Sequence, residues 1–260
     1  MFPLRDENPT VRTPYVTWLI IAACVVVFFF VQPTGRTSIT GQQATSDTAF
    51  TVQHAAIPCE IAQGRPLHVD ELRRTFIGNN ADACNASDHS ADGFPHKQVY
   101  FALLVSMFLH AGLLHIGGNM LYFWIFGNNI EDRMGHLPFL AFYLVGGIVA
   151  SLGHVFADPH STVPVVGASG AIAAVMGAYL VLYPKARVYT LIIPFIPIPF
   201  FRRIPAWLLL GFWFVSQFFV APNSGVAWVA HVTGFVFGVL VALLVRSTGS
   251  SPRPRRAAYA

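Results

Sequence analysis

Residues 167–184 have the sequence GASGAIAAVMGAYLVLYP, in which a serine with small neighbours stands at the head of an apolar run. The stretch contains no charged residue, and the next one along the chain is Lys185. Residues 169–184 are long enough to cross the roughly 30 Å hydrocarbon core of a bilayer. A later apolar run holds a lone histidine, His231. Together the two runs predict a hydroxyl group and an imidazole held inside a membrane.

The composition is typical of a membrane protein. Of the 260 residues, 54% are hydrophobic and 11% are charged, whereas about a quarter of a soluble domain is charged. The mean hydropathy is +0.55. Apolar runs of spanning length cover residues 14–32, 99–128, 137–157, 169–184, 204–221 and 226–246. We therefore predict an all-α polytopic membrane protein, a six-helix transmembrane bundle with a long first loop at 33–98.

The basic residues predict the orientation of this bundle. Most of the 16 Lys and Arg residues lie at the two ends of the chain and in the loops that follow the second and fourth predicted spans. The loops that follow the third and fifth spans, 158–168 and 222–225, contain none. Loops rich in Lys and Arg stay on the cytoplasmic side. Residues 1–13 are thus predicted to be a cytoplasmic leader, residues 14–246 the membrane domain and residues 247–260 a disordered basic cytoplasmic tail. Topology explains the net charge of +4, so we expect the lipid bilayer and no nucleic acid as partner.

Two loops contain further features. In the first loop, apolar positions recur at helical spacing within residues 67–77, which favours a short amphipathic helix on the membrane surface. Cys59 and Cys84 lie in the same loop and are candidates for a disulfide, although the sequence leaves open whether they are bridged. The loop from Lys185 to Arg203 is rich in proline and apolar residues, and we expect it to dip along the inner interface.

The predicted spans place three polar side chains at one depth. Ser169 precedes Lys185 by sixteen residues, His231 precedes Arg246 by fifteen, and His115 precedes Glu131 by sixteen. At a rise of about 1.5 Å per residue, each lies roughly 23 Å above the inner boundary of the bilayer. Asn119 is one helical turn after His115 and shares its face. A polar pocket below the outer surface is therefore predicted.

These residue types indicate acyl-transfer chemistry. A serine hydroxyl becomes a nucleophile when a base removes its proton, and imidazole is the base best suited to neutral pH. Ser169 and His231 are the candidates for these two functions. The twelve Asp and Glu residues all fall in predicted loops or tails, so a Ser-His dyad is expected rather than a triad. The same distribution argues against a two-aspartate protease.

An oxyanion needs preorganised hydrogen-bond donors. The candidates are His115, the amide of Asn119 and the backbone N–H of Ser169, which has no intrahelical partner if a helix begins there. Gly167 and Gly170 are expected to let a peptide approach the hydroxyl. The sequence has no His-Glu-x-x-His motif, and neither a metal nor another cofactor is predicted.

The chain resembles the rhomboid family of intramembrane serine proteases in motifs that lie on three spans. The matching residues are His110, His115 and Asn119 on the second span, Gly167, Ser169 and Gly170 on the fourth, and Ala230, His231, Gly234 and Gly238 on the sixth. The resemblance implies Ser169 as nucleophile, His231 as general base and acid, and His115 with Asn119 as oxyanion donors. It also implies structural functions for His110 and for Glu131 and Arg133.

The resemblance further implies that the substrate is a transmembrane helix of another protein, cut near its outer end. A departure from the family pattern is Ala173, where many members have an aromatic residue that stacks on the catalytic histidine. The aromatic fifth span is either a substrate gate or a lipid-facing surface. The sequence does not identify the substrate, the cleavage site or the oligomeric state.

Two other functions remain open. One is a metal site built from His110, His115 and His231. It is disfavoured because His110 and His115 are five positions apart and so lie about 140° apart around a helix. The second is an inactive rhomboid-like protein that binds membrane helices without cutting them. For location we expect a bacterial inner membrane, because the sequence shows no leader rich in Arg and Ser and poor in acidic residues.

Overall fold

The computed structural model describes residues 1–33, 45–85, 90–192, 200–221 and 225–247, with the backbone alone for 45–47. The predicted tail beyond Ser247 lies outside the described residues. So do parts of the first loop, 34–44 and 86–89, and the proline cluster at 193–199. The prediction of a mainly helical chain is confirmed.

The described residues contain ten α-helices and three strands. The helices are α1 Tyr15–Val26, α2 Thr45–His54, α3 Pro58–Gln63, α4 Val69–Phe76, α5 Ala102–Val105, α6 Leu113–Met134, α7 His136–Ala157, α8 Ser169–Leu182, α9 Ala206–Ser216 and α10 Trp228–Ser247. A π-helical turn, Val27–Val31, extends α1, and 3₁₀ turns extend α5 (Ser106–Phe108) and α9 (Gln217–Phe219). The strands are β1 Phe2–Asp6, β2 Arg187–Ile192 and β3 Phe200–Pro205.

By length and composition, α7 and α10 could each cross a membrane. A third candidate is the pair formed by α5 with its 3₁₀ turn and α6, which is bent by 91°. The apolar helices α1, α8 and α9 are shorter. Helix length among the described residues therefore supports two or three spans and does not confirm the predicted count of six.

The bend corrects the second predicted span, because residues 99–128 do not form one helix. The chain is extended at Leu109 and Gly112, and α6 continues to Met134. The side chain of Gln32 supplies the missing backbone partners at the break. Its amide nitrogen donates to the His110 carbonyl and its oxygen accepts from the His110 N–H, both at 2.9 Å. The helix can be interrupted there because those groups remain satisfied.

Helix α8 lies at the centre of the bundle, and its residues 170–179 are all buried. A helix that is apolar on every side is suited to that position. Its small residues admit close neighbours on several faces. A Cβ added at Gly238 of α10 would collide with the backbone carbonyl of Ala174 in α8. The absence of a side chain at Gly238 therefore lets α8 and α10 approach closely.

A small antiparallel sheet, in the order β1-β2-β3, corrects the all-α assignment. Val188 of β2 pairs with Asp6 of β1 on one side and with Ile204 of β3 on the other. The loop after α8 was predicted to dip along the interface, but its ends form a hairpin. Residues 2–6, expected to belong to a leader, add the third strand. Pairing satisfies the backbone groups that a loop at an apolar interface would leave without partners.

The first loop has its own small core. Helix α4 lies within the segment predicted to be amphipathic, and its Val69 and Phe76 are exposed. Cys59 and Cys84 form a disulfide. The acidic residues Glu60 and Glu71 lie in this loop as expected, and Glu131 follows the predicted second span, but all three carboxylates are buried, which the sequence did not predict. Glu60, Glu71 and Glu131 are at most 1% exposed, and all three belong to helices.

Candidate active site

The first residue of α8 and the first turn of α10 meet at the centre of the site. Oγ of Ser169 lies 2.8 Å from Nε2 of His231, which is hydrogen-bond distance. Both side chains are partly exposed. The two helices approach so closely here that a Cβ added at Gly234 would collide with the carbonyl oxygen of Gly170. Glycine at 234 thus allows the hydroxyl and the imidazole to touch.

His115 and Asn119 of α6 line the same site. The Ala111 N–H donates to Nδ1 of His115 at 3.3 Å, which assigns the proton of the neutral ring to Nε2. A Cβ added at Gly167 would lie 2.7 Å from that Nε2 and 3.5 Å from Nδ2 of Asn119. Gly167 has φ +121°. A glycine at this position therefore keeps the space beside both nitrogens open.

Asn119 has an unused donor. Its side chain is buried, and Nδ2 has no hydrogen-bond partner among the described residues. Buried polar atoms without partners are rare in proteins, and a catalytic role or a bound water is among the explanations. The backbone N–H of Ser169 is also free of an intrahelical bond, because Ser169 is the first residue of α8. Nε2–H of His115, Nδ2 of Asn119 and the N–H of Ser169 are thus three available donors on residues that line one cavity.

These groups face a cavity of about 240 Å³. Its lining residues are Leu114, His115, Gly118, Asn119, Tyr122, Ser169, Ile172, Met176, Trp213 and His231. A small concave site with a few convergent polar groups is typical of an active site.

Sequence reasoning missed Gln217. Its Oε1 lies 2.7 Å from Nδ1 of His231, so both ring nitrogens of this histidine are in hydrogen bonds. The absence of a carboxylate does not exclude a group that orients the imidazole, because an amide oxygen also accepts a hydrogen bond from Nδ1–H. The available signal was that Gln217 is the one glutamine in the predicted fifth span, and the structure places it just past the end of α9.

An aromatic ring also contacts His231. The centroid of the Trp213 ring lies 5.8 Å from that of the imidazole, at an interplanar angle of 39°. Trp213 comes from α9, whereas the aromatic residue expected from the family pattern would stand at Ala173 of α8. The structure therefore supplies the ring contact from a different helix.

The residues expected to be structural lie outside the cavity. Glu131 accepts hydrogen bonds from the N–H groups of Val16 and Thr17 at 2.9 and 2.8 Å, and so caps the start of α1. His110 is buried, and its ring contacts the ring of His115 with centroids 5.2 Å apart. Arg133 lies in the last turn of α6.

Gly170 differs from the expectation. A Cβ added there would lie 2.6 Å from the Cβ of Ala150 in α7. The glycine therefore serves helix packing, and its small size does not open a path for a peptide.

The hydrogen bonds of His231 disfavour the rival metal site, because both of its ring nitrogens are occupied, by Ser169 and Gln217.

The Rhomboid domain family matches residues 97–248. Among known proteins, Rhomboid protein 1, mitochondrial, of Saccharomyces cerevisiae is 26% identical over 60% of this chain and 44% of its own length. Presenilin-associated rhomboid-like protein A, mitochondrial, of Danio rerio is 29% identical over 53% and 35%. Rhomboid protease GlpG of Yersinia pseudotuberculosis is 28% identical over 52% and 44%. The matches thus span less than half the length of these relatives.

These comparisons contradict the predicted location. The similar proteins from Saccharomyces cerevisiae, Danio rerio and Arabidopsis thaliana are named as mitochondrial. The expectation of a bacterial inner membrane is therefore wrong. It relied on the absence of a leader, and the extent of the sequence shows nothing about residues that precede it.

Proposed function

The chain belongs to the rhomboid family, with the domain over 97–248 of its 260 residues, and from this membership we propose that it is an intramembrane serine endopeptidase. The observation that carries the proposal is the 2.8 Å contact between Oγ of Ser169 and Nε2 of His231. A relative named as a rhomboid protease supports it. The mitochondrial names of other relatives favour a mitochondrial membrane as the location.

The first half of the reaction forms an acyl-enzyme. His231 Nε2 takes the hydroxyl proton as Oγ of Ser169 attacks the scissile carbonyl carbon. The developing oxyanion accepts hydrogen bonds from Nδ2 of Asn119, Nε2–H of His115 and the N–H of Ser169. His231 then gives its proton to the leaving amine. The unpaired Nδ2 of Asn119 supports this assignment, because its acceptor would arrive with the substrate.

The second half releases the product. A water molecule gives a proton to Nε2 of His231 and attacks the acyl carbon, and the proton then returns to Oγ of Ser169 as the ester bond breaks. The dyad ends in its starting protonation state. Each stage uses the same three oxyanion donors, since each passes through a tetrahedral intermediate at the same position.

We infer that the substrate is a transmembrane helix of another protein. A helix uses its own carbonyls in hydrogen bonds, so the cut segment must unwind before attack. The cavity lies at the start of α8, and the basic residues near the ends of α8 and α10 mark the opposite boundary. Six spans, formed by α1, α5 with α6, α7, α8, α9 and α10, would place the cavity near the surface opposite to the two termini.

An inactive family member that binds helices is the second candidate. The aligned dyad and the free donors favour the enzyme, because a binding protein has no need of either. A fluorophosphonate probe distinguishes the two functions, since it labels only an activated serine. We expect labelling of the full chain that disappears in Ser169→Ala and His231→Ala. Ser247→Ala, at the far end of α10, is the matched control and should label normally. Equal labelling of Ser169→Ala would refute the protease.

A further inference from the structure

Gln217 connects the end of α9 to the proposed catalytic base on α10. It lies in the 3₁₀ turn that follows α9 and is 6% exposed. Its Oε1 is 2.7 Å from Nδ1 of His231, on the side of the ring away from Ser169. The position matters because a dyad histidine without a partner at Nδ1 can rotate and can carry its proton on either nitrogen.

The neighbours of Gln217 determine the direction of its amide. The Nε2 group lies 3.0 Å from the carbonyl oxygen of Trp213 and 3.3 Å from Oγ of Ser216. A carbonyl oxygen only accepts hydrogen bonds, so the NH₂ end must face Trp213. The Ser216 hydroxyl donates to the same carbonyl at 2.6 Å and so has lone pairs free to accept. Oε1 must then face His231.

This orientation assigns the tautomer of His231. Because Oε1 of Gln217 is an acceptor, Nδ1 of the imidazole must carry the proton. Nε2 is then unprotonated and accepts the hydroxyl hydrogen of Ser169. This is the tautomer that a general base requires, and a chain of assigned donors leads from the Trp213 carbonyl to the serine oxygen.

We propose that Gln217 is a positioning residue, which holds His231 in the Nδ1–H tautomer and aims Nε2 at Ser169. The inference rests on the proposed serine protease function and adds a third member to the dyad. A neutral amide occupies the position that a carboxylate holds in a Ser-His-Asp triad. Since Gln217 does not line the cavity, its contribution falls on the chemical step and not on substrate binding.

The test compares two variants of similar size in the full-length protein with a single-span substrate. Gln217→Met fills the space but has no acceptor, and we expect kcat to fall about 10- to 100-fold with KM unchanged. That loss is smaller than the 10²–10⁴-fold contribution of general base catalysis as a whole. Gln217→Glu keeps an acceptor at Nδ1 but loses the donor to the Trp213 carbonyl, so we expect it to retain more of kcat than Gln217→Met. A residue that serves packing alone would change thermal stability in both variants and leave kcat of the folded enzyme intact.

The pH profile gives a second readout. A carboxylate in Gln217→Glu stabilises the charged imidazole, so the acidic limb of the kcat profile should move to higher pH. An unchanged profile together with kcat as low as that of His231→Ala in folded Gln217→Glu would overturn the proposal, even if Gln217→Met fails to fold. Wild-type kcat in folded Gln217→Met would also overturn it, while an inactive Ser169→Ala would leave the protease function standing. Normal turnover by Ser169→Ala would instead refute that function itself.

Discussion

Gly234 of α10 faces the backbone carbonyl of Gly170 in α8, so closely that a Cβ at 234 would collide with that oxygen. The contact lies one residue after Ser169 and three residues after His231. It joins the two helices at the level where the hydroxyl meets the imidazole. The separation of the proposed dyad is therefore set by the absence of a side chain.

We expect Gly234→Ala to push the helices apart and to separate the dyad. The obstacle is backbone, which moves less easily than a side chain, and a displacement of about 1 Å at a reacting group can cost about 100-fold in rate. Fluorophosphonate labelling of Ser169 should slow by about that factor. Gly211→Ala in α9 is the matched control, because a Cβ there meets no atom within 4 Å. Normal labelling of Gly234→Ala would show that the contact does not determine the dyad geometry.

Asn119→Ala should lower turnover without destabilising the protein. The loss of one oxyanion donor costs about 10²–10³-fold in kcat. Nδ2 of Asn119 has no partner among the described residues, so its removal breaks no hydrogen bond made by that atom. Steady-state kinetics and thermal unfolding of the same preparation measure the two effects. A fall in melting temperature that matches the loss of activity would indicate a structural role instead.

The polar layer of the site could be predicted from sequence because helix rise is constant. Counting from Ser169, His231 and His115 to the next basic or acidic residue placed all three at one depth, and the structure places His115 and Ser169 on one cavity with His231. The count uses only local geometry. It holds as long as each segment is helical between the two residues compared.

Features that depend on distant contacts could not be predicted. In the sheet, β1 pairs with β2. Strand β1 ends at Asp6 and β2 begins 181 residues later, at Arg187, and no pattern in either strand identifies the other. The bend before α6 depends on the side chain of Gln32, more than seventy residues earlier. Gln217 stands out in sequence as the one glutamine of the predicted fifth span, but its contact with His231 could not be predicted, since the direction of its amide follows from the carbonyl of Trp213 and the position of α10.

Asp6 should make stability depend on pH. It accepts hydrogen bonds from the Tyr179 hydroxyl at 2.9 Å and from the Asn129 amide at 2.6 Å. Burial raises the pKa of Asp6 to about 6, although these hydrogen bonds act in the opposite direction. The folded state thus binds this proton more tightly than the unfolded state, so the group's contribution falls as pH rises from about 4 to about 6.

The comparison with Asp6→Asn isolates this contribution, because asparagine does not titrate. We expect the melting temperature of the wild type relative to Asp6→Asn to decrease between pH 4.5 and pH 7. The decrease corresponds to at most about 3 kcal/mol, at 1.36 kcal/mol per pKa unit. Parallel curves for the two proteins would show that Asp6 has the same pKa in the folded and unfolded states.

Glu60 and Lys97 form a buried ion pair. We expect replacement of Lys97 alone to destabilise the first loop and replacement of both residues to restore most of its stability. The two side chains are in contact and each is 1% exposed. Burial raises the pKa of Glu60 and lowers the pKa of Lys97, in each case against the attraction of the partner. Removal of one partner leaves a charge without compensation, and such losses are about 3–5 kcal/mol. Lys97→Met should therefore strongly destabilise the first loop.

Replacing both residues removes the uncompensated charge. In Glu60→Gln/Lys97→Met the glutamine oxygen can still accept the Leu67 N–H, which donates to Glu60 at 2.9 Å in the wild type. We expect the double variant to recover most of the stability lost in Lys97→Met, because apolar or neutral groups of similar volume often replace a buried ion pair at little cost. Limited proteolysis of the first loop measures its local unfolding. A double variant as sensitive as the single one would mean that Lys97 acts through its hydrogen bond to the carbonyl of Val52 and that the ion pair contributes little.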